Sequence, residues 1–331
     1  MEFSKWMSTQ SRMDKFVKEK TDSIVGILFG LAYGLSIRAA NELEIVRPYF
    51  GEMTMGFIFL SPTVIGILTT YFRGDLSVIK RIVLPWIPCT IMLIVIMLIG
   101  LEGSICVIMG LPVFLVMSSI GGLFGYWIKG KINRLSFFVI LLLPNIMGYT
   151  ENQFSDPADY RLVETKIIID APVRTVWENI VSVKKIQPQE HSFDLVHFLG
   201  FPKPVEAILK DEKVGAVRIA KFEGGLEFRE AILDIKELER IEFGIKADPS
   251  QIPLSTLDKH VTIGGRYFDT LRGKYEIVPT GENQVLLVLS SEYRISTRFN
   301  FYSSLWTDFI MRSIQNYILK IIRNRSALPK T

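Results

Sequence analysis

The chain has 331 residues, with 38 Lys and Arg, 34 Asp and Glu, three His and two Cys, a length that suggests about two domains. Residues 1–149 hold 13 Lys and Arg against 9 Asp and Glu, whereas 150–331 hold 25 of each, so the net +4 lies wholly in the first part. A neutral second part with scattered charge argues against a nucleic-acid partner, which needs a clustered basic face. Cys89 and Cys106 sit in apolar runs with no CxxC or Cys/His pattern, and the cysteine-free second part needs no disulfide.

Apolar runs lie at about 24–40, 55–72, 82–100, 105–128 and 135–149. Some twenty mostly polar residues precede the first, and no small-residue cleavage site follows it, so this start does not read as a secretory signal. A bilayer span takes about 20 residues. Runs two to four meet this length; the first is short, with Arg38 placed to snorkel to the surface, and the fifth is marginal. The expectation is a polar cytoplasmic leader over 1–23 and a transmembrane region over 24–149 with four to five helices. Pro62, Pro85, Pro88, Pro112 and Pro144 are tolerated where neighbouring helices satisfy the freed carbonyls. The spacing Gly26, Gly30, Gly34 suits close helix packing. Every charge between Ile24 and Tyr149 lies in a loop or near the end of a run, which favours an anchor and packing module over a transporter.

Lys and Arg are concentrated in 1–23, 73–81 and 129–134 and are sparse in 41–54 and 101–104. This alternation puts the N-terminus in the cytoplasm, in the cytoplasmic membrane. If 135–149 spans, everything after residue 150 is extracytoplasmic; if it lies flat or re-enters, the C-terminal part is cytoplasmic. The first of these is the expectation.

After a polar linker over 150–160 the pattern changes. Strands are expected at 161–170, 216–222, 226–237 and 240–247, where Ile241, Phe243 and Ile245 alternate with polar or small residues. A hairpin follows over 267–279 and 284–297 across "TGEN". Helices are expected at 171–183, with Pro172 in its first turn, and at about 301–324, with a stripe of Leu305, Phe309, Ile310, Ile314, Tyr317, Ile318 and Ile321. The fold class is therefore a membrane α-helical bundle followed by an α+β helix-grip domain, a curved antiparallel sheet around a long C-terminal helix.

"VETKIIIDAPVRTVWENIVSV", a strand, Ala-Pro and a helix carrying Val-Trp, resembles the opening of the START / birch-pollen-allergen-like superfamily (SRPBCC, polyketide cyclase/lipid transport). "KVGAVRIAKFEGGLEFREAI", "DKHVTIGGRYFDTLRGKY" and "WTDFIMRSIQNYIL" resemble a bacterial branch with an N-terminal membrane region. The resemblance covers about 161–325. It implies a cavity between sheet and helix that holds a lipid or other hydrophobic small molecule. Some such proteins are cyclases or hydrolases, and many are carriers or sensors.

A pocket of this kind is apolar with a few polar groups. Glu230 shares a strand face with Phe228 and Ile232; facing inward, it is either a buried acid of raised pKa or the partner of Arg218 or Arg229. Asp258 and His260, two apart, suit either a general base or a loop pin. Ligand contacts are expected from Arg218, Glu230, His260, Tyr267, Tyr275, Arg294 and Trp306. Gly264-Gly265 lacks phosphate-loop spacing and reads as a turn. No nucleophile stands out, so Glu230, Asp258 and His260 are weak catalytic candidates, and binding is preferred to catalysis.

In "HSFDLVHFLGFPKP", His191 and His197 are six apart, which puts them on one side of a strand but about 240° apart on a helix. A metal pair would need extended backbone and a third ligand; no metal and no cofactor are expected. His191, His197, Phe198 and Phe201 are read instead as a pocket rim or membrane-facing lid. The alternatives to a binding module that remain are a cyclase- or hydrolase-like enzyme and a protein-docking module. A reporter fused after residue 155 is expected to report the extracytoplasmic side; a cytoplasmic signal overturns that orientation.

Overall fold

A computed structural model describes residues 2–43, 51, 53–72, 76–247 and 263–327. Asp258 and His260 lie outside the described residues, as do most of the 41–54 loop and residues 73–75. The chain divides into two compact units: Met1–Glu102 with Cys106–Ser155, and Gly103–Ile105 with Asp156–Thr331.

In the first unit α1 (Glu2–Asn41) is one continuous helix, because no Gly-Pro signal separates the polar leader from the first apolar run. Its apolar part, Val17–Asn41, is 25 residues and long enough to cross a bilayer. The other helices of spanning length and hydropathy are Val78–Leu98, made of α3 (Val78–Val83) and α4 (Trp86–Leu98), and α5 (Ser104–Ile128). These are three among the described residues, against the four or five expected. The run at 55–72 opens as a π-turn segment, Gly56–Leu60, before α2 (Ser61–Tyr71), and its described residues form a shorter apolar helix, Gly56–Tyr71. Pro62 near the start of α2 supplies no N–H to the preceding turn. The fifth run forms α6 (Arg134–Asn152), which is not among the three.

Arg38 does not snorkel. It is fully buried, with Nη1 2.7 Å from Glu42 Oε1 and Nε 2.8 Å from Glu102 Oε1, while Nη2 donates to Leu101 O at 2.7 Å. Two carboxylates and a carbonyl compensate the desolvation that would otherwise drive the guanidinium to water. The small-residue spacing in α1 works as expected. A Cβ on Gly30 would fall 2.9 Å from Thr69 Oγ1, closer than real contacts allow, and a tight 3.1 Å from Ile65 O of α2. The α2–α5 approach is tighter still: a Cβ on Gly121 would collide with Thr63 O, and one on Gly66 with Ser118 O.

The second unit runs β1 (Asp159–Ile169), α7 (Val173–Val181), α8 (Leu195–Phe198), β2 (Pro204–Ile208), β3 (Val217–Phe222), β4 (Glu227–Lys236), β5 (Arg240–Ala247), β6 (Phe268–Gly281), β7 (Gln284–Ile295) and α9 (Asn300–Ser326). The seven strands form one antiparallel sheet in the order β1-β7-β6-β5-β4-β3-β2, curled around α9. This is a helix-grip fold, with the strand, helix, strands, helix order that the START-like resemblance implies. The linker is shorter than 150–160, since α6 runs to Asn152 and β1 begins at Asp159. Strand β2 was not anticipated at all; its first residue, Pro204, is admissible because β2 is an edge strand. Its outer side is not bare: Val183 and Ala207 exchange N–H···O bonds of 2.7 and 2.8 Å, and Ile186 N donates to Val205 O at 2.8 Å.

The core between sheet and helix includes Trp177, Ile180, Ile232, Ile241, Phe243, Leu287, Leu319 and Ile322. The buried face of α9 differs from the expected stripe. Leu305 is 66% and Phe309 44% exposed, while Met311, Gln315, Leu319 and Ile322 point inward. Gln315 is only 2% exposed. Its Nε2 donates to Val163 O at 3.1 Å and Ser291 Oγ at 2.9 Å, and its Oε1 accepts from Thr165 Oγ1 at 2.6 Å. One side chain thus ties α9 to β1 and β7. Gln315→Leu leaves these buried partners unsatisfied, a loss of ~2 kcal/mol. Thermal unfolding of the full chain should show the midpoint of the C-terminal unit lowered by about 4–8 °C; an unchanged midpoint would mean that the amide does not set the helix position.

Candidate functional site

Two polar clusters lie in the interior of the grip. The first is built on paired strands. Arg218 of β3 stands directly opposite Glu230 of β4, and both side chains turn inward because Ala220 and Phe228, two residues along each strand, are core positions. Their side chains are 4% and 9% exposed. Arg218 Nε donates to Glu230 Oε2, and Nη1 donates to Ile180 O at 2.6 Å. The guanidinium lies 4.5 Å over the Phe243 ring and 5.8 Å from that of Tyr275. Burial is the largest single influence on the Arg218 pKa and pulls it down, but the charges and hydrogen bonds of Glu230 and Tyr275 together hold it above its ordinary value. Burial pushes the Tyr275 phenol up as well. Of the two roles open to Glu230 in the sequence, the structure places it as the partner of Arg218.

The second cluster joins the 191–201 segment to α9. Asp194 caps α8, its Oδ1 accepting from Val196 N at 2.9 Å and His197 N at 3.3 Å. Its other oxygen accepts from Ser313 Oγ of α9 at 2.6 Å. Upstream, Arg325 of α9 pairs with Glu190 at 2.5 Å and donates to Lys184 O and Lys185 O at 2.8 and 3.0 Å. Between these two ties, His191 Nδ1 lies 2.5 Å from Tyr317 Oη. The His197 ring meets Tyr317 edge-on, with centroids 4.4 Å apart. Burial lowers the His191 pKa and pushes the Tyr317 phenol up to about 12.

The two histidines therefore converge without the extended backbone that the sequence argument required. His197 sits on a helical turn, and Tyr317, 126 residues from His191, brings the two together. Among the described residues no cluster of three His, Cys, Asp or Glu has metal-site geometry. Phe201 packs beside His197 with ring centroids 6.4 Å apart, and Phe198 is 74% exposed next to Phe193.

The other expected contacts are elsewhere. Arg294 donates to Arg266 O at 3.0 Å and Gly265 O at 2.7 Å, pinning the turn at Gly264, whose φ of +79° suits glycine. Tyr267 adjoins Arg266 in that turn. Trp306 makes an edge contact with Phe309 on the outer side of α9. Tyr275 joins Arg218 and Glu230. Two interior groups were missed from sequence: Gln315, hidden in a stripe judged by apolar residues alone, and Tyr293, which donates to Asp308 Oδ1 at 2.5 Å while Arg161 holds Asp308 Oδ2 at 2.9 Å.

No family model and no curated protein matches the chain. Solved structures similar to its C-terminal part include a START superfamily protein from Mycobacterium smegmatis, at 12% identity over 50% of this chain and 96% of that one, TM-score 0.34. They also include a Thalictrum norcoclaurine synthase point mutant bound to a transition-state analogue, at 14% identity over 52% and 99%, TM-score 0.30. An uncharacterised protein from Rhizobium leguminosarum matches at 14% over 51% and 99%, TM-score 0.31. At these scores the likenesses add nothing to the strand order and helix position, on which the fold assignment rests.

Removing one member of a buried ion pair leaves an uncompensated charge and costs about 3–5 kcal/mol, whereas replacing both with apolar residues is close to neutral. Arg218→Met should therefore lower the thermal midpoint sharply, and Arg218→Met with Glu230→Leu should restore most of it. A double variant no more stable than the single one would show that the pair does more than compensate itself.

Proposed function

We propose that the chain is a membrane-anchored helix-grip module that binds a hydrophobic small molecule or lipid between its sheet and α9. The observation that carries this reading is the composition of the interior: two small, fully organised polar clusters set among aliphatic and aromatic side chains. Small-molecule sites have this make-up, apolar walls for affinity and a few placed polar groups for orientation. Ala207 and Ala220, buried beside Phe228, Tyr317 and Ile321, keep the wall between the two clusters low. Exposed Phe193 and Phe198 at the start of the 191–201 segment supply an apolar rim, and the three apolar helices of the first unit supply the anchor. On this reading the N-terminus is cytoplasmic and the grip domain extracytoplasmic, as the loop charges favour.

The test is the occupant. Organic extraction of the purified full chain, followed by mass spectrometry, should recover an apolar compound in near-equimolar amount. Ala220→Trp, which puts an indole among the buried side chains beside Phe228 and Tyr317, should reduce its recovery at least tenfold. A folded wild-type preparation that yields no such compound rules the reading out.

A further inference from the structure

His197 is 7% exposed, and its Nε2 is buried without a hydrogen-bond partner among the described residues. The tautomer of the neutral ring is fixed by its other nitrogen. Nδ1 lies 2.9 Å from Phe201 O, and a carbonyl oxygen only accepts, so Nδ1 carries the hydrogen. In the neutral ring Nε2 is then a bare acceptor. Beside it, the Tyr317 hydroxyl is already engaged with His191 Nδ1 at 2.5 Å. The His197 ring meets Tyr317, which belongs to the apolar cluster of Val183, Ile186, Phe228, Ile263 and Ile321.

A buried acceptor with no donor is rare in a folded protein, and one held in place on both sides by neighbouring bonds is rarer. The backbone fixes His197: its N–H is capped by Asp194 and its Nδ1 by Phe201 O, so the ring cannot turn to satisfy Nε2 without giving up the second bond. The missing partner is a donor. We propose that His197 Nε2 is the polar anchor of the grip's interior and accepts a hydrogen bond from the hydroxyl head group of an otherwise apolar ligand. This rests on the reading of the interior as a binding site and adds its head-group chemistry: hydroxyl donors are selected over ethers and esters, which can only accept and would face a lone pair.

The full chain, purified in detergent, is incubated with an equimolar mixture of dodecan-1-ol and 1-methoxydodecane, and bound species are counted by native mass spectrometry. The two compounds differ in whether the terminal oxygen can donate. Wild type should hold the alcohol in about tenfold excess over the ether, the factor expected for one satisfied buried acceptor. His197→Phe keeps a ring of similar size and removes the acceptor; it should bind the ether as wild type does and lose the preference. Equal binding of both compounds by wild type overturns the proposal while leaving the pocket intact, and so does a preference that survives in His197→Phe. Binding of neither compound overturns the pocket reading and this proposal with it. Should His197→Phe fail to fold, His197→Leu, which also removes the acceptor, takes its place and is expected to lose the preference in the same way.

Discussion

A long amphipathic helix resting on a mostly apolar sheet has little to stop it from sliding or rotating, because hydrophobic contact is non-directional. Everything else in the C-terminal unit depends on how α9 is kept in one register. The solution is a row of directional polar contacts along its length: Asp308 to Arg161 and Tyr293, Ser313 to Asp194, Gln315 to β1 and β7, Tyr317 to His191, and Arg325 to the 184–190 segment. Each is modest alone. Together they convert a greasy interface into a keyed one, and they fix the side chains that border the interior.

The same logic separates the two polar clusters. Arg218 and Glu230 satisfy each other, with Ile180 O and the aromatic rings completing the shell, so that cluster is closed on itself. The histidine cluster is held equally firmly by its neighbours but ends in an acceptor that none of them satisfies. A buried polar group normally exists in one of two states, paired or penalised. The difference between the clusters is therefore one of chemical completeness, and it gives the interior a direction, from a self-sufficient end to an open one.

Much of the fold could be read in the sequence because period-two alternation and turn residues mark strands locally: β4, β5 and the β6–β7 hairpin lie within a residue or two of expectation. Strand β2 could not be read, since "PKPVEAI" carries two prolines and pairs only through its edge position. The α9 stripe was misjudged for a different reason. Tyr317 and Ile321 of the expected stripe are buried, but Leu305 and Phe309 are apolar and exposed while Gln315 is polar and inside, so hydropathy alone marked only the second half of the buried face. The Arg218–Glu230 pair was among the combinations the sequence allowed, because both residues fall on inward strand positions. The meeting of His191 and His197 at Tyr317 was not, because it is created by chain segments far apart in sequence. In the first unit Arg38 looked like a surface group for the same reason: Glu102 comes from a distant turn.

The bridge between Val183 and Ala207 has a consequence for the behaviour of the protein in a crowd. An open antiparallel sheet offers unpaired N–H and C=O groups along its margins, and another chain's strand can add there. At β2 that margin is short, starts with a proline, and is already occupied by the 183–186 segment. The sheet therefore ends there by pairing with its own chain, which discourages neighbouring copies from extending it.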